Sequence, residues 1–116
     1  MDEIIKKIID WGNEKGINNP TKQFNKLAEE MLEAHEAYKT KDLMFYLGKK
    51  EEFADADLHL LEELGDIGVV WVLLCNMLDV NPLEALEAAH NKNKDRKGKT
   101  INGNFIKEED LDENIY

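Results

Sequence analysis

The sequence predicts an all-α protein built as a four-helix bundle. Apolar residues recur at intervals of three and four along most of the 116-residue chain, which is the periodicity of amphipathic helices. The chain contains two prolines, Pro20 and Pro82, and each stands where a helix could begin. No region is rich in the residues that favour strands. The hydrophobic fraction of 42% is that of a folding sequence, and at this length we expect self-association to complete the core.

The first helix is predicted over about residues 2–14 and the second over about residues 21–39. Gly16 and the turn that ends at Pro20 separate them. Each helix has an apolar side that we expect to be buried. In the first helix this side comprises Ile4, Ile5, Ile8, Ile9 and Trp11, and in the second Phe24, Leu27, Met31, Ala34 and Tyr38.

Residues 41–56 are predicted to form a mobile connector, because Gly48 and a Lys-Lys-Glu-Glu run follow a short apolar segment. A short helix over residues 43–47 is the alternative. The third helix is predicted over about residues 57–78, and its nearly continuous apolar second half indicates a central position.

The fourth helix has a strong start signal, with Asn81 as N-cap, Pro82 at N1 and Glu84 at N3, and is predicted to run to about Lys94. Beyond it, Asn102-Gly103 is a typical two-residue turn. We therefore divide the chain into a helical domain over residues 1–97 and a C-terminal turn with an acidic tail over residues 98–116.

Charge and cysteine content narrow the classes of function. The net charge of −10 would repel a nucleic-acid backbone, which argues against a nucleic-acid-binding role. A nucleotide substrate remains compatible with this charge, since a divalent metal ion inverts the local field. The single cysteine, Cys75, cannot form an intrachain disulfide. The first residues lack a signal-peptide pattern, and charged residues bracket the most apolar stretch too closely for a membrane span. We therefore expect a cytoplasmic protein without a membrane partner.

Two carboxylates of the third helix stand on a side that the helix should bury. Glu63 and Asp66 are three residues apart and share one face. The same face continues with apolar residues only, namely Ile67, Val70, Leu74 and Met77. Unpaired charges in a core are very unfavourable, so this pair needs a metal ion or a set of Lys and Arg partners.

The second helix supplies a matching pair, Glu30 and Glu33, again three residues apart. Taken alone, such a pair is usually a solvated face. Two antiparallel helices that each present two carboxylates at one level would instead form a cage of hard oxygen ligands. This chemistry suits Mg²⁺, with Mn²⁺ as a possible substitute.

These residues also match a family pattern. The segment Lys-Leu-Ala-Glu-Glu-Met-Leu-Glu that ends at Glu33, followed by Glu-Glu-Leu-Gly-Asp that ends at Asp66, resembles the paired E-E-x-x-E and E-x-x-D motifs of all-α nucleoside-triphosphate pyrophosphohydrolases. That superfamily includes MazG, dimeric dUTPases and phosphoribosyl-ATP pyrophosphohydrolases. The resemblance covers roughly residues 20–97 and favours a phage or bacterial type. The 29 residues between Glu33 and Glu63 are at the long end for the family.

The resemblance implies Mg²⁺-dependent hydrolysis of a (d)NTP to the (d)NMP and pyrophosphate by a homodimer or homotetramer. It implies that the carboxylates act as catalytic metal ligands and that a basic segment holds the triphosphate. An alignment shifted by two residues, onto Asn93-Lys94, fits this segment almost as well. The implied ligands are Glu30, Glu33, Glu63 and Asp66, and the implied triphosphate-binding residues are Asn91, Lys92 and Arg96.

Two other classes of protein stay open. A di-iron carboxylate bundle normally needs two Glu-x-x-His pairs, and this chain has one, Glu87 with His90. A helical dimer of the same fold that binds nucleotides or a partner without turnover is the second alternative. The sequence does not indicate which base or sugar is preferred.

Overall fold

The computed structural model describes residues 2–111. Most of these residues are helical, as predicted, and a small two-stranded sheet follows the last helix. In chain order the elements are α1 (Glu3–Lys15), α2 (Pro20–Tyr46), α3 (Lys50–Met77), α4 (Pro82–Lys94), β1 (Gly98–Ile101), β2 (Asn104–Lys107) and a 3₁₀ turn (Glu108–Asp110).

Helix α1 begins and ends close to the predicted residues. The Asp2 side chain accepts a hydrogen bond from the backbone N–H of Ile4 at its start. At its end Gly16 has a φ of 70°, and the N–H of Ile17 donates to the carbonyl of Gly12 at 3.0 Å, which satisfies a carbonyl of the last turn. Gly12 lies against Leu73 of α3 so closely that an added Cβ would overlap the leucine.

Helices α2 and α3 form a long antiparallel hairpin, and the predicted mobile connector over residues 41–56 is wrong. Helix α2 continues to Tyr46, and α3 already begins at Lys50. Gly48 has a φ of 70°, while the N–H of Lys49 donates to the carbonyl of Met44 at 3.0 Å. Gly48 is thus the glycine of a helix C-cap. The charged run after it forms the first turn of α3, where acidic side chains interact favourably with the positive end of the helix dipole.

Contacts between the two arms hold the end of the hairpin together. Lys41 Nζ lies 2.7 Å from Oδ1 of Asp57. The rings of Phe45 and Phe53 pack with their centroids 5.8 Å apart. The segment that appeared irregular in the sequence is therefore held by pairs of residues on opposite arms of the hairpin.

The buried side of α2 differs from the predicted one. Ala34 and Ala37 are buried, whereas Phe24, Met31 and Tyr38 are more than half exposed. Small alanine side chains allow the backbone of α3 to approach closely, so α2 turns this side toward α3. On α3 the prediction holds better, since Val70 and Leu74 are buried and Ile67 and Met77 are half-buried. In α1, Ile4 and Trp11 are exposed.

The described chain forms two compact units, the first ending at Pro82 and the second beginning at Leu83. The second unit contains most of α4 and the antiparallel strands β1 and β2, in which Ile101 pairs with Asn104. The predicted turn is confirmed: Asn102 and Gly103 both have positive φ, 51° and 81°, as a type I′ turn requires. The predicted acidic tail lies partly outside the described residues.

None of the helices within residues 2–111 combines the length and the apolar character needed to cross a lipid bilayer.

Candidate metal centre

Three of the predicted ligands come together between α2 and α3. One carboxylate oxygen each from Glu30, Glu33 and Glu63 lies within 4.8 Å of the other two. Glu30 and Glu33 are adjacent because they are about one turn apart on α2. The antiparallel hairpin brings Glu63 of α3 to the same level, as the sequence analysis anticipated.

Two of these carboxylates are buried and only partly satisfied. Glu30 is 5% exposed and Glu63 is 8% exposed. The Oε2 atom of each is shielded from solvent and has no hydrogen-bond partner among the described residues. Buried polar atoms without partners are rare in folded proteins, and a buried carboxylate is especially unfavourable. A bound cation or a proton at these two atoms would relieve this unfavourable burial.

Two basic side chains, a lysine and a histidine, lie near the other oxygens. Lys26 Nζ lies 3.1 Å from Oε1 of Glu30, and His59 Nε2 lies 3.6 Å from Oε1 of Glu63. Neither residue was predicted as part of the site. Each lies four residues before the carboxylate it contacts, so the i,i+4 spacing in the sequence was a usable signal.

The electrostatics of the cluster favour a bound cation. Burial raises the pKa of the Glu63 carboxyl, and the neighbouring Glu33 and Glu30 carboxylates raise it further. Glu30, as hydrogen-bond acceptor and as negative charge, raises the pKa of Lys26. Negative charge therefore exceeds the positive charge that the surrounding side chains supply.

Members of the carboxylate cluster line two clefts of the first unit. A cleft of about 440 Å³, here called the Trp11 cleft, is lined by Trp11, Gln23, Lys26, Glu30, Asp66 and Leu73, among others. A cleft of about 400 Å³, here called the His59 cleft, is lined by Glu33, Glu36, Thr40, His59 and Glu63, among others.

Asp66, the fourth predicted ligand, is not part of the three-residue cluster. It is exposed and stands about one helical turn beyond Glu63. It lines the Trp11 cleft together with Glu30. Asp66 is therefore positioned to contact something held in that cleft beside the cluster.

The donor set fits a hard divalent cation. All three clustered residues offer carboxylate oxygens, which Mg²⁺ and Mn²⁺ prefer, and neither a thiol nor an imidazole belongs to the cluster. Glu33 is exposed, so one side of the cluster is accessible to water or to phosphate oxygens. The two unpartnered oxygens belong to the residues that face each other across the hairpin.

The predicted triphosphate-binding residues lie in the second unit. Asn91 and Lys92 are exposed in the last turns of α4, and Arg96 is half-buried just after it. The Arg96 backbone N–H donates to the carbonyl of Asn93 at 3.1 Å. Their role in holding a triphosphate stays a prediction. The Glu87 and His90 side chains of the di-iron alternative are both exposed and are not among the clustered metal-binding groups found in residues 2–111.

Comparisons of the chain with protein-family models, with curated proteins and with solved structures found no match.

Proposed function

We propose that the protein is a Mg²⁺-dependent nucleoside-triphosphate pyrophosphohydrolase of the MazG-like kind, which converts a (d)NTP and water to the (d)NMP and pyrophosphate. The observation that carries this proposal is the buried pair Glu30 and Glu63, each with a carboxylate oxygen that has no partner among the described residues. Glu33 adds a third oxygen within 4.8 Å. A structural scaffold gains nothing from such an arrangement, because it is unfavourable without a cation.

In this proposal Glu30, Glu33 and Glu63 hold the metal ion, and Asp66 contributes from the adjoining cleft. When bound, such a cation would supply positive charge beside the phosphates and Lewis acidity toward the attacking water. The acidic side chains thereby become able to bind a polyanion that they would otherwise repel.

The other side chains of the proposed site would position the phosphates and supply positive charge to them. Lys26 donates a hydrogen bond to Glu30 and is half exposed, so its ammonium group is available to a phosphate oxygen. From the resemblance, Asn91, Lys92 and Arg96 of the second unit are proposed to bind triphosphate, since fixed positive charge stabilises a leaving pyrophosphate. No covalent intermediate is invoked: the chain contains no serine, and Cys75 is buried, which raises the pKa of its thiol.

The exposed apolar residues of the hairpin support the proposed homodimer or homotetramer. On α2, Phe24, Met31 and Tyr38 recur every seven residues and are each more than half exposed. On α3, Leu58, Leu61 and Leu64 recur every three residues and are also more than half exposed. Apolar patches of this kind usually mark an interface. We propose that a second copy covers them and completes a MazG-like bundle in the cytoplasm.

The test is a pyrophosphate-release assay over the common NTPs and dNTPs, with Mg²⁺ and with EDTA. We expect release of pyrophosphate, not orthophosphate, that requires the metal ion. The Glu63→Gln variant should lose this activity, and the matched Glu62→Gln variant, altered at the exposed neighbour, should retain it. Absence of turnover from the folded wild type with every nucleotide would overturn the proposal and favour a helical protein that binds nucleotides or a partner without hydrolysis.

A further inference from the structure

The Trp11 cleft has the composition of a small-molecule site. Its volume of about 440 Å³ falls in the range of ligand pockets in proteins. Its walls combine an indole ring, apolar side chains of α3 such as Leu73, and a few polar groups. Glu30 and Asp66 line the same cleft, so a ligand bound there would reach the carboxylate cluster.

Gln23 offers a side-chain amide to this cleft. Its residue is 9% exposed, yet its side-chain amide makes no hydrogen bond to another residue within the described range 2–111. The amide atoms are not among the solvent-shielded polar atoms without a partner, so the amide is open to the cleft while the rest of the side chain is packed. Gln23 lines the cleft, so a ligand held there could supply the missing partners.

The spacing along α2 relates Gln23 to the carboxylate cluster. Gln23 and Glu30 are seven residues apart, which is two turns on the same side of the helix, or about 10 Å along its axis. This separation leaves room for a sugar between a planar group at Gln23 and phosphates at Glu30. Trp11 offers an aromatic surface for stacking in the same cleft.

We infer that the Trp11 cleft binds the base of the nucleotide, with the Gln23 amide as the specificity-determining residue that hydrogen-bonds the base edge. This inference rests on the proposed function, because it takes the triphosphate to lie at the carboxylates. A glutamine amide carries both an acceptor oxygen and donor hydrogens, and amides of this kind pair with base edges that present one donor and one acceptor. Trp11 would stack on any base without selecting among them.

The test compares Gln23→Leu with the wild type over the nucleotide panel. We expect kcat/KM for the preferred nucleotide to fall about 10- to 100-fold, while the poorest nucleotide changes little, so that the range among bases narrows. Gln23→Glu replaces donors by acceptors and should change the order of preference. Trp11→Leu should weaken the binding of all nucleotides without changing the ranking of the bases.

A matched variant and a ligand without a base separate this role from a structural one. Asn25→Leu removes an exposed amide from the same helix and should leave the ranking unchanged. Competition by inorganic tripolyphosphate, which has no base, should be equal in the wild type and in Gln23→Leu. Equal loss for every nucleotide and for tripolyphosphate, or an unchanged ranking of bases, would overturn the inference.

Equilibrium binding distinguishes failure of this inference from failure of the proposed function. If the wild type hydrolyses no nucleotide, calorimetric titration with the same nucleotides and Mg²⁺ still measures whether binding depends on the base. Base-dependent affinity that Gln23→Leu abolishes would support the cleft assignment without turnover. Base-independent binding, or no binding, would overturn it.

Discussion

Lys26 and Glu30 form an ion pair across one turn of α2, with 3.1 Å between Nζ and Oε1, although Glu30 is buried and Lys26 is half exposed. The lysine therefore neutralises part of the carboxylate cluster from its solvent side. It does not reach the Oε2 atom of Glu30, which has no partner among the described residues. A metal ion at the cluster and Lys26 would share the charge of the same carboxylate.

Lys26→Met should destabilise the metal-free protein and strengthen the response to metal. We expect the free energy of unfolding in EDTA to fall by about 1 kcal/mol, a small value because water screens the half-exposed ammonium group. Saturating Mg²⁺ should restore most of the loss, since the cation replaces the missing positive charge. Urea titrations with EDTA and with Mg²⁺ measure both effects. Lys39→Met, which removes a more exposed pair with Glu36, should show no such dependence on metal.

The stability of the metal-free protein should depend on the protonation of Glu63. The pKa of its carboxyl is raised above the ordinary value of 4.5, so the folded state holds this proton more tightly than the unfolded state. Its contribution to stability is fully present below pH 4.5 and is lost as the pH rises through the folded pKa.

Glu63→Gln removes this titration, so the variant should gain stability relative to the wild type as the pH rises from 4.5 toward neutrality. Urea unfolding of both proteins in EDTA over this range provides the comparison. Glu62→Gln, at an exposed position, serves as the control. A constant difference between wild type and Glu63→Gln at every pH would contradict the prediction.

Mg²⁺ or Mn²⁺ should stabilise the wild type through the carboxylate cluster. At a free concentration about 100 times the dissociation constant, the gain is about 2.7 kcal/mol, or roughly 10 °C in the unfolding midpoint for a domain of this size. Thermal unfolding followed by circular dichroism measures the shift. Glu30→Gln should abolish most of it. A shift of equal size in Glu30→Gln would place the bound metal elsewhere.

Gly48→Ala should destabilise the α2–α3 hairpin through the backbone alone. Gly48 has a φ of 70°, and an added Cβ would meet no atom within 4 Å. The left-handed conformation should therefore cost alanine about 1 kcal/mol. Gly68→Ala provides a control of opposite sign, because Gly68 lies inside α3 with no atom within 4 Å of an added Cβ, and alanine favours a helix. Chemical unfolding of both variants decides the comparison.

Met31→Glu should disrupt the proposed oligomer without unfolding the protomer. Met31 is 56% exposed, so a charged side chain is tolerated by the single chain but not inside an apolar interface. Sedimentation velocity of wild type and variant measures the change in mass. Thr21→Glu, at an exposed position of the same helix, should leave the assembly unchanged, and equal masses for all three proteins would argue against an interface at Met31.

Local signals in the sequence predicted several helix boundaries and the burial of Glu63 well. Gly16, Pro20 and Pro82 each mark a boundary by their own backbone preferences, so no distant contact is needed to place them. Glu63 was identified because the apolar positions that follow it on α3 indicate its burial. In such cases the deciding interaction lies within a few turns of one helix.

Features that depend on contacts between helices were not predictable in the same way. Residues 41–56 resemble a loop until Lys41 meets Asp57 and Phe45 meets Phe53 across the hairpin. The buried side of α2 is set by how closely α3 approaches Ala34, which periodicity alone does not reveal. The place of Gln23 in a cleft lined by residues of α1, α2 and α3 likewise becomes apparent only in the folded chain.

The tight turn at Gly48 also controls how such a chain can vary in length. Both arms run without interruption from this turn to the carboxylates, and each residue of an α-helix adds about 100° of rotation. Deleting one residue between Gly48 and Glu63 would swing the Glu63 side chain away from Glu30. Deleting about seven residues, or two turns, from each arm would keep both glutamates opposed. Insertions or deletions in the hairpin should therefore preserve the opposed glutamates when both helices change by the same double turn.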